Sequence, residues 1–600
     1  MSLKRSKYGR FFDQDATREN AICSECKISV KFTSQNGPNS LKNHVQRHHP
    51  LLFKDLLETE AAKKEKKKNE EKIKRQRATI PFPVVETKKF KVETSAEKNT
   101  DRAVVEFICT DLQPFSIVEQ IGFRKMMKNL APNVTLKSRH YYGSVALNSL
   151  HADLMKRVRT LLENCSEVAL TTDAWSSADS KHHLLSVTAH FIDNETFSPG
   201  WCVLAAKSIK VRGTAPNYKQ LMEEVLSSYE IPPSRVTAIT RDGGTNVKNM
   251  CDLMSVPSIH CFSHVLQLVL GDTVYKNQKY TKSIDNFKRI ARKIRKSSVL
   301  RNQYNEILDE SELPGTMLAQ ECKTRWSSLH FMLKSFIRNK RSVEILTIDN
   351  PDLTLTESDW KNAKILMYVL APISENTTAA QHRFLSPCSV IIPALKLLKF
   401  KFQEILEDHS IGDDEKAITT EVLEVLETRG RNYLSMKTLR FATFLDVRFK
   451  NIFLDDDIQR EVEEELLAMF PEQEDDEKPD DEGLEIAEKC SIYDKFISYR
   501  VRMTPPPSLK KMSIGSEIQQ YCATSPSSTA DPFKFWRENQ NFPRLKSMAQ
   551  KLLAVAATSA ESERLFSIAG QICVPKRNRI GEGALEKYIF CNANIAALDI

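Results

Sequence analysis

Two short β-prone runs that end in aspartate constrain this chain more than any other feature: Val168-Ala169-Leu170-Thr171-Thr172-Asp173 and Val236-Thr237-Ala238-Ile239-Thr240-Arg241-Asp242. Between them, Leu184–Ile192 and Trp201–Ala206 read as two further strands. Tyr218, Leu221, Met222, Val225 and Leu226 recur at helical spacing. The order is strand, strand, strand, helix, strand. If the first and fourth strands lie side by side in one sheet, both carboxylates emerge at one edge. Ser258-Ile259-His260-Cys261-Phe262-Ser263-His264 then runs into a helix through Leu266, Leu268 and Val269.

A chain of 600 residues is too long for one hydrophobic core, so several domains are expected around this stretch. Residues 101–165 carry apolar positions at helical spacing, as in Leu150, Leu154, Val158, Leu161 and Leu162, interrupted by Pro114 and Pro132. Residues 275–540 are mostly helical in pattern, with faces such as Ile365, Leu366, Val369 and Leu370. That stretch interrupts the sheet-forming region. Residues 455–485 are acidic and then proline-containing, which reads as a loop.

Near the start, Cys23-Ser24-Glu25-Cys26 precedes His44, His48 and His49. Two thiolates on a tight turn plus two imidazoles on a short helix make a tetrahedral set suited to zinc. Thirteen scattered cysteines and a polar, basic beginning (Met1–Lys7) fit a reducing compartment, so this group reads as a metal site. His48 lies at i,i+4 from His44, and His49 is reachable if the helix unwinds before Pro50, so the second imidazole stays open. Residues 55–77 are rich in lysine and arginine, either a solvated spacer or a nuclear-import signal that touches phosphates. The net charge of +9 is uneven, with a basic surplus toward this end, which points to a polyanion. No apolar run approaches membrane-spanning length.

Toward the end, Thr558 and Glu561 have capping-box spacing, and Leu565, Phe566 and Ile568 give the following turn an apolar side. Glu563 then stands near a helix start. With Asp173 and Asp242 it completes three hard oxygen donors of the kind Mg²⁺ or Mn²⁺ prefers. Lys576, Arg577 and Arg579 follow as a basic cluster, a surface loop or a phosphate contact. Leu585, Tyr588, Ile589, Phe590 and Ile595 close the chain at helical spacing.

Ser562-Glu563-Arg564-Leu565-Phe566-Ser567-Ile568-Ala569-Gly570, followed by Lys576–Ile580, resembles the C-terminal signature of the hAT transposases (hobo, Activator, Tam3 and Hermes-like). Thr171–Ser176 and Thr240–Val247 resemble that family's first two catalytic motifs. Cys261–His264 and Cys322–Ser328 resemble two further blocks, in order. The first fifty residues resemble a BED-type zinc finger, whose last ligand usually precedes the proline, favouring His49.

The resemblance implies an α/β RNase-H-like catalytic core interrupted by a large all-α insertion domain, behind a small N-terminal finger. The expected divisions are a finger at 1–54, basic linker at 55–100, helical DNA-binding or intermediate domain at 101–165, core at 166–274, insertion at 275–540, and the last part of the core with a dimerisation region at 541–600. It implies a catalytic triad of Asp173, Asp242 and Glu563 holding two Mg²⁺ or Mn²⁺ ions, and structural zinc on Cys23, Cys26, His44 and His49. Trp326, with Arg325, would stack a flipped base during hairpin formation, while Cys261, His264, Lys576, Arg577 and Arg579 would pack beside or contact DNA. The activity so implied is cut-and-paste DNA transposition: cleavage of element ends, hairpin formation on flanking DNA and strand transfer into target, by a nuclear oligomer, at least a dimer, with no membrane association. The alternative is a domesticated DNA-binding regulator that no longer transposes.

Overall fold

The computed structural model describes residues 8–14, 20–31, 39–56, 95–177, 179–310, 316–322, 327–383, 386–470, 513–527, 530–574 and 580–598. The chain forms two compact units, Met1–Val92 and Glu93–Ile600.

In the first unit, β1 (Phe12–Gln14), β2 (Asn20–Cys23) and β3 (Ser29–Lys31) form a small antiparallel sheet beside α1 (Asn39–His48). Among the described residues its buried apolar side chains are few, including Phe12, Ala21, Leu41 and Val45. A core this small needs a further tie to be stable.

The second unit is mostly helical around one mixed sheet. The helices α2 (Ser95–Thr110), α3 (Ile121–Leu130) and α4 (Leu147–Glu163) precede β4 (Val168–Ser176), β5 (His183–Ile192) and β6 (Pro199–Ser208). A helix at Ala215–Ser228 (α5) leads to β7 (Val236–Arg241); another at Thr245–Leu253 (α6) leads to β8 (Ser258–His260). The sheet order is β6-β5-β4-β7-β8. The first three strands pair antiparallel, whereas β4, β7 and β8 run parallel. The strand–strand–strand–helix–strand order read from the residues is therefore present, with β4 and β7 adjacent. Alternation along β4 explains how both sheet faces are covered. Val168 and Leu170 join one apolar cluster with α4 and the C-terminal helix, while Ala169 joins another with the insertion.

After β8 come α7 (Phe262–Asp272) and α8 (Gln278–Lys296), and the chain stays helical through α9 (Glu357–Ala380), α10 (Ile391–Glu407) and α11 (Asp413–Leu434). Ile365, Leu366, Val369 and Leu370 on α9 are all buried, as their spacing requires. The acidic stretch needs a correction. Asp456–Met469 is a helix (α12), because Val462 and Leu466 are buried one turn apart and Asp456 and Asp457 sit in the first turn, where a helix favours negative charge. Residues 471–485, the rest of the expected acidic loop, lie outside the described residues.

The chain returns to the sheet through α13 (Pro543–Leu552), α14 (Ala560–Ile572) and α15 (Glu582–Leu598). Leu585, Tyr588, Ile589 and Phe590 of α15 are buried against β6, α2 and α4. At about 1.5–3 kcal/mol for each fully buried large side chain, this helix is an integral part of the sheet's cover.

Candidate active site

In the first unit, the donor atoms of Cys23, Cys26, His44 and His49 all lie within 4.8 Å of one another. Cys23 Sγ faces His49 Nε2 at 3.4 Å, and Cys26 Sγ faces His44 Nε2 at 3.2 Å. α1 stops at His48, and His49 sits just past its end, where its imidazole can turn toward the thiols. Two sulfur and two nitrogen donors converging in this way fit a tetrahedral zinc site. His48 stands outside the group, its ring centroid 4.8 Å from that of His44.

In the second unit, parallel pairing of β4 with β7 sets Thr172 opposite Arg241, so the next residues, Asp173 and Asp242, come at the same level of the sheet. Asp173 does not end its strand: β4 continues to Ser176, and the Asp173 N–H donates to Ser186 Oγ of β5 at 3.1 Å. Asp242 follows the last residue of β7, and its Oδ1 accepts the Gly244 N–H at 3.1 Å. Gly243 lies hard against His260; a Cβ there would meet Nε2 at 3.0 Å.

The C-terminal return delivers the third acid. Ala556 O accepts from the Thr240 hydroxyl of β7 at 2.7 Å, and the Phe262 N–H donates to Ala557 O at 3.1 Å. The Ser559 N–H reaches Cys261 Sγ at 3.3 Å. These contacts lay residues 556–559 along the edge of β7 and the start of α7, and α14 begins at Ala560 beside β4. Glu563, Asp173 and His264 then each place a donor atom within 4.8 Å of the others, and His264 Nε2 is 3.7 Å from Glu563 Oε1. Asp242 stands outside this tightest group, yet its charge bears on both Asp173 and Glu563.

The electrostatics follow from crowding. Burial, then the charges of Asp242 and Glu563, push the Asp173 carboxyl well above the usual carboxylate range, and His264 offsets part of this. Burial also raises Glu563. Burial opposes protonation of His264, but the Cys261 sulfur and the two acids outweigh it and raise its pKa. The group opens on a cleft of about 720 Å³ whose lining includes Trp175, Gln381, Arg564 and Phe566. Trp175 stacks on Phe566 with ring centroids 5.9 Å apart.

One sequence reading changes here and two are sharpened. The Thr558–Glu561 capping box is half formed: the Thr558 hydroxyl accepts the Ala560 N–H at 3.4 Å, but Glu561, instead of reaching back, pairs with Arg383 and Arg564. Cys261 is fully buried and its sulfur accepts the Ser559 N–H, which accords with its reading as a packing residue. His264, read together with Cys261 as packing or touching DNA beside the active site, lies within the carboxylate group itself. Its spacing from Cys261 drew attention to it, but the partners that define it are remote in sequence. Arg325, Trp326, Lys576, Arg577 and Arg579 lie outside the described residues.

Fold and site define a class: an α/β protein behind a Cys₂His₂ group, with a cluster of acids closed by a helix that arrives after a long helical insertion. Residues 517–595 match the hAT family C-terminal dimerisation region, and residues 259–369 match the ZBED1 RNase-like helical domain. The chain is similar to zinc finger BED domain-containing protein 4 of Homo sapiens, at 20% identity over 99% of this chain and 52% of that protein. It is similar to zinc finger BED domain-containing protein 6 of Mus musculus, at 23% identity over 75% of this chain and 52% of that protein. A putative AC transposase of Zea mays is 20% identical over 95% of this chain and 72% of its own length. The chain thus spans about half the length of the BED-domain relatives. It carries an hAT-type dimerisation region and a ZBED1-type RNase-like helical domain, and it is similar to both transposases and BED-finger proteins. Among the described residues, no helix is long and apolar enough to cross a membrane.

Proposed function

We propose that this chain is a metal-dependent hAT-type DNA transposase, acting in the nucleus on duplex DNA as at least a dimer. One observation carries the reading: Asp173, Asp242 and Glu563 converge although a helical insertion separates the last from the first two. A sheet of order β6-β5-β4-β7-β8, with acids leaving its two central parallel neighbours, supports an RNase-H-like core.

The donor chemistry fits Mg²⁺ or Mn²⁺. Buried carboxylates raised by mutual repulsion are relieved by a divalent cation, and the imidazole of His264 tilts the set toward Mn²⁺. Bound there, such ions supply the Lewis acidity that phosphoryl transfer at a DNA backbone requires. Asp173 and Glu563 hold the charge at the floor of the cleft, with Asp242 beside them. Arg564, at the cleft wall, can attract the backbone. Trp326 would stack a flipped base, at about 1–3 kcal/mol per stacked base. The finger, with zinc on Cys23, Cys26, His44 and His49, would hold the element end.

The test uses purified full-length chain, Mn²⁺ or Mg²⁺, and duplexes bearing candidate element ends. Nicks and hairpins are expected from the wild type and are lost in Asp173→Ala and Glu563→Ala. A second reading, a domesticated DNA-binding regulator, is favoured by the similarity to a protein of Talaromyces stipitatus named a putative transcriptional regulator. Specific binding of several ends without cleavage of any of them would decide for it.

A further inference from the structure

We propose that Glu561 is a positioning residue: through Arg383 it ties the first turn of α14, and with it Glu563, to the helical insertion. The proposal rests on Glu563 serving the acidic centre. Two residues apart on a helix, Glu561 and Glu563 point about 200° from each other, so they cannot share a task. Glu563 faces the cleft, whereas Glu561 is only 6% exposed and faces the segment that follows α9.

There it meets a built receptor. Arg383 donates to both carboxylate oxygens, Nε to Oε1 at 2.8 Å and Nη2 to Oε2 at 3.0 Å, a two-pronged pairing that fixes angle as well as distance. The Arg383 guanidinium in turn lies over the Trp201 ring of β6, 4.2 Å from its centroid, so the arginine is itself held against the sheet. Arg564 pairs with Glu561 from the same helix and donates to Gln381 O at 3.0 Å.

Backbone bonds run alongside: Ala557 N–H to Ser386 O at 3.3 Å, and Cys388 N–H to Val555 O at 2.6 Å. Those bonds fix residues 555–557 but not the direction in which the helix leaves them. At the start of α14 the Thr558 hydroxyl accepts the Ala560 N–H at 3.4 Å, a long bond that holds that direction only weakly. The Glu561 fork sets it, and a small rotation of the first turn would swing Glu563 away from Asp173. In this way the insertion takes part in aligning the acidic centre.

The experiment compares wild type, Glu561→Gln, Arg383→Lys and Arg383→Ala as full-length, zinc-loaded protein. Three quantities are read: Mn²⁺ affinity from the free-ion resonance signal, amide hydrogen exchange across residues 560–566, and the thermal midpoint. Glu561→Gln is expected to weaken Mn²⁺ binding about tenfold, the lower end of what loss of an outer-shell partner costs a metal site. Exchange across 560–566 should quicken with a nearly unchanged thermal midpoint, and Arg383→Lys should fall between wild type and Arg383→Ala. Raising Mn²⁺ should restore part of any DNA cleavage, which a general loss of fold would not permit. Mn²⁺ affinity and local exchange both within twofold of wild type in Glu561→Gln overturn the proposal. If the wild type binds no Mn²⁺, the metal-dependent reading fails, and the latch is judged on exchange alone: unchanged protection at 560–566 removes it. If Arg383→Ala does not fold, Arg383→Lys, which keeps the charge but loses the fork, decides.

Discussion

His190 shows how tightly the neighbourhood of the acidic centre is packed. It lies on β5 with Nε2 3.2 Å from the Thr171 hydroxyl, and it is almost wholly buried. Burial pushes its pKa down to about 4; Glu561 works the other way, and Arg383 and Arg564 add to the depression. The ordinary value is about 6.5, so between pH 4 and 6.5 the unfolded chain takes up a proton that the folded chain refuses. Folding is unaffected by this group above pH 6.5 and loses stability as pH falls toward 4, by at most about 1.4 kcal/mol per pH unit. The thermal midpoint should therefore fall over that window. His190→Gln, which cannot titrate, should flatten the slope there; an unaltered slope in the variant would show that other groups set it.

At the scale of elements, the end of α1 decides which imidazole completes the Cys₂His₂ group. Because the helix stops at His48, His49 turns toward Cys23 while His48 stays outside. Zinc content measured on purified protein should stay near one ion for His48→Ala and be lost in His49→Ala. Equal loss in both would remove the assignment. This detail was legible in the residues only as a choice between two histidines, because a helix end is a matter of a single turn. The strands were more legible. Their β-branched, apolar runs favour strands, and the helix before the fourth supplies the crossover that parallel pairing needs. The partners of His264 and Glu561 were not legible. Each is defined by partners far away in sequence, Glu563 for one and Arg383 for the other, and local spacing carries no trace of them. The acidic stretch misled for the opposite reason: its charge was conspicuous, whereas the two buried side chains that make it a helix, Val462 and Leu466, were not.

For the whole molecule, the C-terminal region has two roles that compete for the same residues. Residues 517–595 match a dimerisation region, yet within the single chain Leu585, Tyr588, Ile589 and Phe590 already cover the sheet. A side chain at 0% exposure, as Ile589 is, has no surface left for a partner. Self-association through this region must then use its exposed residues, and the apolar face of α15 contributes only by holding those residues in place. The two roles can be separated by experiment. Ile589→Ala leaves a cavity beneath the helix and should cost about 2–5 kcal/mol, read as a lower denaturation midpoint. Light scattering on folded protein below that midpoint should still give the mass of the wild-type oligomer, expected to be at least two chains. A variant that is monomeric while its midpoint is unchanged would instead place Ile589 at the contact between copies, and the packing of α15 against the sheet would have to be redrawn. The same logic links assembly to chemistry: α14 and α15 are consecutive, and both pack on the sheet that carries Asp173. Loosening α15 should therefore weaken Mn²⁺ binding at the acidic centre before it changes the oligomer, and titrating the ion against Ile589→Ala tests that order directly.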